Sequence, residues 1–519
     1  MLPPVLALFF VLLPIQPIYS LAINSSSVSY APGTSDLSAA TNSTAADSCD
    51  DIHTCRTLYS IVQTCLATIF ACVWVAVHRN ISGPKPRDTR SSNVVIRATQ
   101  WLWVKILDQR QSIVVFVVTL IAPEWVLAWA IRQAIRARKL AKELEEARTH
   151  ATKIWTRDGE ERPNGQKTAE IAEIAEDEEN RTTSVSLRSG SDDELPLIER
   201  RAPSRAMSNS PHATHLENQI EWTRAESVAK LDQAWTVAHA FFITMGGYHG
   251  YNKNGPLYPL DPDTVISLVK DGKLVPPTTE ELSDKSKGDV LSKGIAILQT
   301  IWFVVQCIAR LAEHLPLTNL EVMTLAYTVM TVAMYITWWD KPLNISCAIR
   351  VPAVPYSATS TAPSDDIWEW IGGYVLGALD NDVDLRSLRR VPTFWAGQPD
   401  VDDVSHADYV ALPVAMAFGA VHCIAWSYPF TSHIALLMWR VSAIAIVAVP
   451  AGILLTFLLM GPLGFDNVAS ILALIFIPIG IPLYICARII LLIFSFSTLT
   501  SLSRAIYQTV QWTEFIPHI

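Results

Sequence analysis

Long apolar stretches separate the polar parts of this chain, and they predict membrane-spanning helices. A helix rises about 1.5 Å per residue and so needs about 20 residues to cross an apolar layer of about 30 Å. Four stretches meet that length: 58–77, 320–339, 434–460 and 467–487. Three further candidates are 113–131, 295–312 and 410–427. The pattern predicts an all-α fold, a polytopic transmembrane helix bundle of six or seven spans.

Residues 1–22 predict a cleavable signal peptide. The apolar run from Val5 to Leu13 is too short to span a bilayer. Ser20 and Ala22 stand where a cleavage site prefers small residues. The alternative is an uncleaved extra helix, which the prolines of this segment disfavour.

The segment 23–57 is rich in Ser and Thr, and we expect it to be a luminal tail. Asn24 and Asn42 begin glycosylation sequons, which become acceptors if the tail enters the lumen. Cys49 and Cys55 lie just before the first span, so a disulfide between them is a further prediction for that compartment.

Basic residues flank the stretch 113–131 on both sides, which conflicts with a single crossing because cytoplasmic flanks carry the excess of Lys and Arg. The upstream set is Arg79, Lys85, Arg87, Arg90, Arg97, Lys105 and Arg110, and the downstream set is Arg132, Arg136, Arg138, Lys139 and Lys142. In one reading, 113–131 is re-entrant or in-plane and broken near Pro123, so 78–294 is cytosolic and six spans remain. In the other, the long following loop overrides the rule, which gives seven spans and a luminal loop. We favour the first reading.

The polar segments complete the division of the chain. The apolar stretch at 231–247 is expected to lie in the membrane interface as an amphipathic helix. Asp261 before Pro262 predicts a helix start, and Thr278 with Glu281 fits a capping box, so a small folded patch is expected there. The segments are 1–22 (signal peptide), 23–57 (luminal tail), 58–149 (first membrane module), 150–230 (disordered linker), 231–294 (amphipathic stretch and small cytosolic patch), 295–340 (membrane hairpin), 341–409 (acidic loop) and 410–519 (C-terminal membrane module).

Composition narrows the class of protein further. Apolar residues make up 50% of the 519 residues and charged residues 17%, whereas soluble proteins carry about 25% charged residues. A single soluble globular domain is therefore excluded. The net charge of −9 argues against a nucleic-acid partner. No cofactor or metal is expected, because the chain has no P-loop, dinucleotide fingerprint or zinc-type Cys/His spacing.

Glu124 is the candidate catalytic residue. A carboxyl group at membrane depth is costly when ionised, so such a group is protonated, paired or in contact with water. A neutral acid in an apolar cavity is able to protonate an epoxide or alkene, as a membrane-embedded terpenoid cyclase requires. The alternative, which the sequence favours, is that Glu124 caps the helix restarting after Pro123 or pairs with an arginine.

Other polar residues carry weaker signals. Two acidic clusters resemble cation sites only in part, because Leu385 stands where a calcium loop needs Gly, and solvated loops are expected. The clusters are Asp380, Asp382 and Asp384, and Asp402, Asp403, His406 and Asp408. Three arginines in or beside spans, Arg310, Arg440 and Arg488, are expected to reach the membrane surface. A lipid phosphate or a substrate anion is the alternative contact of Arg440. Structural roles are expected for His53, His78, His239 and His422.

Several strings in one order resemble a group of fungal polytopic membrane proteins that has no established biochemical activity. The strings are DDIHTCRT at 50–57, CLATIFACVWVAVH at 65–78, APEW at 122–125, DKSKGD at 284–289, KGIAILQT at 293–300, WWDKPLN at 338–344 and WTEFIPHI at 512–519. The resemblance covers roughly 50–150, 235–346 and 405–519, with 153–230 as an insertion. It implies a fungal origin and the polytopic architecture, and it adds no mechanism.

The leading hypothesis is an accessory role in handling a lipophilic metabolite, with the lipid bilayer and a lipophilic small molecule as partners. One alternative is a membrane-embedded terpenoid cyclase with Glu124 as its acid, and another is a transporter or receptor. The expected location is a membrane of the secretory pathway, either the endoplasmic reticulum or the plasma membrane.

Overall fold

The computed structural model describes residues 55–84, 112–161, 233–286, 290–353, 383–428, 430, 432–460 and 465–512. These residues are mostly helical, and a small sheet accompanies the helices. The predicted signal peptide and nearly all of the predicted luminal tail lie outside this set.

Six helical segments are long and apolar enough to cross a membrane. They are Leu58–Val75, Lys293–Ala312, Asn319–Thr337, Asp402–Ser427, His433–Met460 and Asn467–Ser501. Each contains or overlaps a stretch that the apolar pattern predicts. The main helices within them are α1 (Leu58–Phe70), α7 (Val290–Ala312), α8 (Asn319–Thr337), α9 (Val401–Val421), α10 (His433–Met460), α11 (Asp466–Ile475) and α12 (Ile481–Ser497).

Helix α8 is the centre of the bundle. It is 61% buried, the largest share among the six segments, and it packs against α1, α7, α9 and α12. Its first turn is fixed by a capping box, in which Thr318 Oγ1 accepts from Glu321 N at 3.1 Å and Glu321 Oε2 accepts from Thr318 N at 2.7 Å. Side chains that other helices direct at α8 therefore meet in the interior.

The stretch around Pro123 forms a hairpin of two helices, α2 (Ser112–Ile121) and α3 (Pro123–Glu161), bent by 115°. Phe116 lies 6.0 Å from Trp74, near the end of the first segment, measured between ring centroids. Leu120 instead contacts Tyr327, in the middle of α8. On α3, Trp129 lies 5.0 Å from Trp338, just after the end of α8, measured between ring centroids. Both arms therefore leave the tip toward the same end of the bundle, which is the arrangement expected for a re-entrant hairpin.

A small module packs on the outer part of α3. It contains α4 (Val237–Thr244), α5 (Pro262–Lys270), α6 (Thr279–Lys285) and three strands, β1 (Tyr248–Asn252), β2 (Gly255–Pro259) and β3 (Ile349–Pro352). The sheet order is β2-β1-β3, with β1 antiparallel to β2 and parallel to β3. The predicted starts of α5 and α6 are confirmed, since Asp261 accepts from Thr264 N and Thr278 forms its capping box with Glu281.

Two predictions about this region are wrong. The fold is not purely α-helical, because the module contains the sheet. The apolar stretch at 231–247 is not an interfacial helix, because α4 is short and its residues from His239 onward are buried against α3 and α5. Gly247 permits the tight turn that follows, since a Cβ atom there would lie 2.4 Å from Phe242 O.

Two segment boundaries in the structure also differ from those predicted. Helix α3 continues to Glu161, past the predicted linker start at 150. The predicted acidic loop 341–409 contains β3 and ends in helix α9, which begins at Val401. Acidic residues at positions 402–408 therefore lie on a helix and not in a solvated loop.

The two ends of the described chain meet at the other end of the bundle. Arg56 donates from its backbone N to Tyr507 O at 2.8 Å and from Nε to Ile506 O at 2.6 Å. Its guanidinium also forms an ion pair with Glu321. The start of α1, the start of α8 and the segment after α12 are therefore held together.

Candidate functional site

The hairpin tip exposes backbone carbonyls that helix α2 does not satisfy, because the last carbonyls of a helix have no partner within it. Leu120 O accepts hydrogen bonds from the Tyr327 hydroxyl and from Arg488 Nη2, the latter at 3.2 Å. Ile121 O accepts from Arg488 Nε at 3.3 Å. Side chains of α8 and α12 thus hold the tip in the centre of the bundle.

The Arg488 guanidinium is fully enclosed, at 2% exposure. Its Nη2 donates to Tyr327 Oη at 2.8 Å, and its Nη1 lies 3.5 Å from His422 Nε2 and 3.7 Å from Met323 Sδ. The Phe418 ring stacks against it, with its centroid 4.4 Å from Cζ. The expectation that Arg488 reaches the membrane surface is therefore wrong, and this charge stabilises the interior of the bundle.

The same expectation, that the side chain reaches the membrane surface, has different outcomes for Arg310 and Arg440. Arg310 is 2% exposed and donates to Gln508 O at 2.6 Å, so it too stays inside. Arg440 is half-buried and donates from Nε and Nη2 to Trp426 O, with its Cζ 4.9 Å from the Trp426 ring centroid. The contact of Arg440 with a lipid phosphate stays a prediction.

Glu124 lies in the first turn of α3, directly after the tip. Its Oε2 atom is buried and has no hydrogen-bond partner of normal geometry among the described residues. The Tyr484 hydroxyl, on α12, lies within reach of the Glu124 carboxyl group. It is buried, and it makes no hydrogen bond of normal geometry with a described residue. Buried polar atoms are nearly always paired in folded proteins, so Glu124 and Tyr484 interact with each other or share a water molecule or a ligand group.

The electric field at the hairpin tip is set by the two helix ends that meet there. A helix carries partial negative charge at its C-terminus and partial positive charge at its N-terminus. The C-terminus of α2 faces Arg488, and the N-terminus of α3 carries Glu124, so each charged side chain lies at the helix end of opposite sign. The two side chains add one positive and one negative formal charge when both are ionised. We call Glu124, Tyr327, Tyr484 and Arg488 the tip site.

His422 supports the tip site without adding a charge. Its Nδ1 lies 3.0 Å from Phe418 O, which assigns the proton to Nδ1 and leaves Nε2 to face Arg488. Trp439 Nε1 donates to the His422 carbonyl at 3.2 Å. A structural role is thus supported for His422, as it is for His239, whose Nε2 lies 2.8 Å from Pro277 O.

The acidic clusters do not come together as a cation site in the described residues. Asp403 forms an ion pair with Lys139 at 2.6 Å, and Asp408 forms one with Arg132 at 2.8 Å. Asp384 accepts from Arg386 N at 2.9 Å and begins a short 3-10 turn. These carboxylates therefore bind α9 to α3 or cap a turn, and Asp380 and Asp382 lie outside the described residues.

The other predicted site residues are not tested. Asn24, Asn42 and Cys49 lie outside the described residues, as does His53. Cys55 lies in the described part and pairs through its backbone with Gln508. The glycans and the Cys49–Cys55 disulfide stay predictions.

Sequence patterns alone missed Tyr327 and Tyr484. Each is one aromatic residue in an apolar span, and nothing in a single sequence separates it from a core aromatic. A usable signal existed in Arg488, since a cation well inside a span needs acceptors, and hydroxyls and free carbonyls at a helix break supply them.

Comparisons with known proteins add a partial match. Residues 207–354, less than a third of the chain, match a family of unknown function (DUF8562). The matched part covers the small module, α7, α8 and β3, so it includes Tyr327 but not Glu124, Tyr484 or Arg488. No curated protein and no solved structure matches the chain.

Proposed function

We propose that this chain is a polytopic membrane protein that handles a lipophilic metabolite in an accessory role, by binding it at the tip site. The observation that carries the proposal is the buried pair of Glu124 and Tyr484, which lie within reach of each other but make no hydrogen bond of normal geometry with the described residues. Small-molecule sites combine apolar walls with a few polar groups that orient the ligand. The tip site has that composition.

The chemistry of the pair indicates the kind of ligand. A carboxyl oxygen accepts a hydrogen bond, and a phenol both donates and accepts. A hydroxyl group on an otherwise apolar molecule satisfies both Glu124 and Tyr484. A cationic ligand is disfavoured, because Arg488 already supplies a positive charge beside them.

The transporter alternative receives less support. Threonines line the interior side of α8, namely Thr324, Thr328 and Thr331. Their hydroxyls donate to carbonyls of their own helix at 2.7 to 2.8 Å. Hydroxyls that are used in this way do not offer a polar path along α8 for a solute.

The enzyme alternative keeps one supporting observation. Glu124 has a buried carboxyl oxygen that makes no hydrogen bond of normal geometry with a described residue, and a proton donor to an alkene or epoxide is a buried carboxyl group of this kind. Binding and catalysis at this site differ in what a Glu124→Gln variant does. Loss of an acid changes which products the host accumulates, whereas loss of a binding group changes only the amount of compound that the protein retains.

The test is to purify the full chain from its host membrane in mild detergent, extract it with solvent and identify retained compounds by mass spectrometry. Glu124→Gln and Tyr484→Phe are the test variants. Each is expected to lower the retained amount about tenfold or more, the effect of about 1.4 kcal/mol or more from a lost hydrogen bond to a charged or buried group.

Tyr335→Phe is the matched control, because Tyr335 also has a buried hydroxyl without a described partner but is not part of the tip site. It is expected to retain the compound at the wild-type level. Equal retention by all four proteins, or no retained compound in the wild type, contradicts the proposal.

The orientation of the protein and the membrane in which it lies are part of the same proposal. We place the described ends of the chain in the lumen and the small module in the cytosol of a fungal secretory membrane, with the signal peptide and the Asn24 and Asn42 glycans as predicted. Six apolar helices support a membrane location. The N-terminal predictions support the orientation.

A further inference from the structure

Arginines cluster on the small module where the module meets the end of the first span. A Cβ atom at Gly83 would lie 2.9 Å from Arg390 Cβ, so the segment after the span touches the loop before α9. His249 Nε2, on β1, lies 3.1 Å from Arg389 O, and His249 pairs with Arg350 of β3 in the sheet. The three segments brought together are 79–84, 344–353 and 383–398. We call the arginines that they carry without an acidic partner the arginine surface, namely Arg79, Arg350, Arg389 and Arg390.

Hydrogen bonds fix these segments to the rest of the protein. Asn80, next to Arg79, donates from Nδ2 to Pro392 O at 3.2 Å. Ile81 N donates to Met245 O at 2.9 Å, at the end of α4. The arginine surface is therefore held together by backbone that cannot separate without breaking these bonds.

The arginine surface is positive although the chain as a whole is negative. Its three segments contain five arginines and one acidic residue, Asp384, so their formal charges sum to +4, against −9 for the whole chain. The fifth arginine, Arg386, forms an ion pair with Asp261 at 3.6 Å. The four members of the arginine surface form no ion pair with any residue that the structure describes. A surface with this excess of positive charge attracts an anion from outside the protein.

The guanidinium groups of this surface are accessible. Arg79 is half-buried and the other three are exposed. Arg79 Nη2 donates to Asn344 Oδ1 at 3.3 Å, and Arg350 Cζ lies 5.1 Å from the ring centroid of Tyr251. These contacts orient two of the guanidinium groups and leave each with further N–H donors that have no acceptor in the described part of the chain. Because a guanidinium donates two parallel hydrogen bonds, it suits a phosphate group.

The arginine surface adjoins the boundary of the membrane. The first span ends at Val75, and Arg79 Cζ lies 5.3 Å from the ring centroid of Trp74. Trp339, between α8 and Asn344, is 74% exposed. Tryptophan side chains at the ends of spans favour the headgroup region, and the charged end of an arginine also remains there. The phosphate groups nearest to Arg79 are therefore those of lipids.

We propose that the arginine surface binds the phosphate groups of anionic phospholipids in the leaflet beside the small module. The guanidinium groups donate to the phosphate oxygens, and the acyl chains stay in the bilayer beside the first span. An acidic protein segment also has the matching charge, but it is not held at the boundary where Trp74 and Arg79 lie, whereas lipid phosphates are. The proposal rests on the membrane location given above and on no residue of the tip site.

The test compares two lipids that have the same acyl chains and differ by one negative charge. The full chain is reconstituted with equal amounts of dioleoyl phosphatidylserine and dioleoyl phosphatidylcholine and purified again in mild detergent, and the retained lipids are quantified by mass spectrometry. The wild type is expected to retain about tenfold or more phosphatidylserine than phosphatidylcholine. It is expected to lose this excess in about 1 M salt, where the screening length is about 3 Å.

Arg389→Gln and Arg390→Gln are each expected to lower the excess of phosphatidylserine about fivefold, the effect of one basic residue at an anionic membrane surface. Arg390→Lys keeps the charge and is expected to retain more phosphatidylserine than Arg390→Gln. Lys270→Gln is the matched control, because Lys270 is exposed in the last turn of α5 and its replacement removes the same charge away from the arginine surface. It is expected to leave the excess unchanged.

Equal retention of the two lipids by the wild type overturns the proposal, as does an equal loss in Lys270→Gln and Arg390→Gln. Complete release of phosphatidylserine by added polyglutamate at equal charge would assign the surface to an acidic protein segment and would also overturn it. Retention of neither lipid would overturn the membrane location as well. Glu124→Gln is expected to leave the excess of phosphatidylserine unchanged, so failure of the tip site is distinguished from failure of the arginine surface.

Discussion

Buried arginines in this chain donate hydrogen bonds to backbone carbonyl groups as well as forming ion pairs with acidic side chains. Arg488 is bonded to two carbonyls of the hairpin tip, and Arg310 is bonded to carbonyls of the segment after α12. A guanidinium has five donors in a fixed plane, so it satisfies several acceptors that a lysine cannot reach together. Broken helices need such donors where water is excluded.

Arg488→Met is expected to lower the free energy of unfolding by about 3 kcal/mol or more, because it leaves Ile121 O and the Tyr327 hydroxyl without their donor and removes one of the two donors to Leu120 O. Thermal unfolding of the purified protein in detergent measures the change. Arg440→Met is the matched control and is expected to cost at most about 1 kcal/mol, since Arg440 is half-buried and has one acceptor, Trp426 O. Similar losses in both variants would show that Arg488 does not hold the tip.

His239 gives the small module a dependence on pH. Burial lowers the pKa of His239, and Thr236 donates from its backbone N to Nδ1 at 3.1 Å, a bond that only the neutral ring accepts. The unfolded chain therefore binds the proton more readily below about pH 6.5, and stability, which is full above that pH, falls as the pH drops. The expected loss is at most about 1.4 kcal/mol per pH unit.

Amide hydrogen exchange in α4 at pH 7 and pH 5, corrected for the intrinsic exchange rates, measures this dependence. His239→Gln keeps an acceptor and a donor and is expected to make protection in α4 nearly independent of pH. His406→Gln is the control, because His406 is exposed on α9. Unchanged pH dependence in His239→Gln would refute the assignment.

At the scale of elements, length and apolarity predict the six spans, because each must bury the same thickness of helix. Basic flanks together with Pro123 predict the hairpin break, since a proline begins a helix more easily than it continues one. The three-stranded sheet could not be predicted from local patterns of this kind. Strand β1 pairs with β3, about a hundred residues away along the chain, and neither is long or apolar enough to be recognised locally.

Close approach of α10 to the turn before α12 requires glycine at position 452. A Cβ atom there would lie 2.2 Å from the Phe476 ring, so Gly452→Ala is expected to destabilise the protein by about 1–3 kcal/mol. Gly294, in α7, has open space around the same position. Gly294→Ala is expected to stabilise by about 0.5–1 kcal/mol, because alanine loses less backbone freedom in a helix. Thermal unfolding of both variants measures the two changes in stability. If both substitutions stabilise or both destabilise the protein, the packing described here is contradicted.

For the whole molecule, six helical segments long and apolar enough to cross a membrane and one hairpin place the small module at one end and the described chain ends at the other. The tip site needs both halves of the sequence, since α2, α3 and α8 meet α12 there. This convergence explains why the site was only partly predictable. Glu124 is visible as a lone carboxyl in an apolar stretch, but its neighbour Tyr484 is 360 positions away in the sequence.

Tags placed at residue 100 and at residue 195 are expected on the same side of sealed microsomes, because both flank the hairpin. Protease is expected to remove both, and a tag inserted after His314, between α7 and α8, is expected to be protected. Accessibility of the residue-100 and residue-195 tags from opposite sides would mean that 113–131 crosses the membrane once.

The contact between the two described ends has a consequence for biosynthesis. Arg56 emerges from the ribosome early, yet its carboxylate partner Glu321 follows 265 residues later and its carbonyl partner Ile506 follows 450 residues later. The guanidinium at the start of α1 therefore has no carboxylate until position 321 has been synthesised, and it has no partner at Ile506 O until almost the whole chain is made. An insertion chaperone would have to remain on this segment for that time.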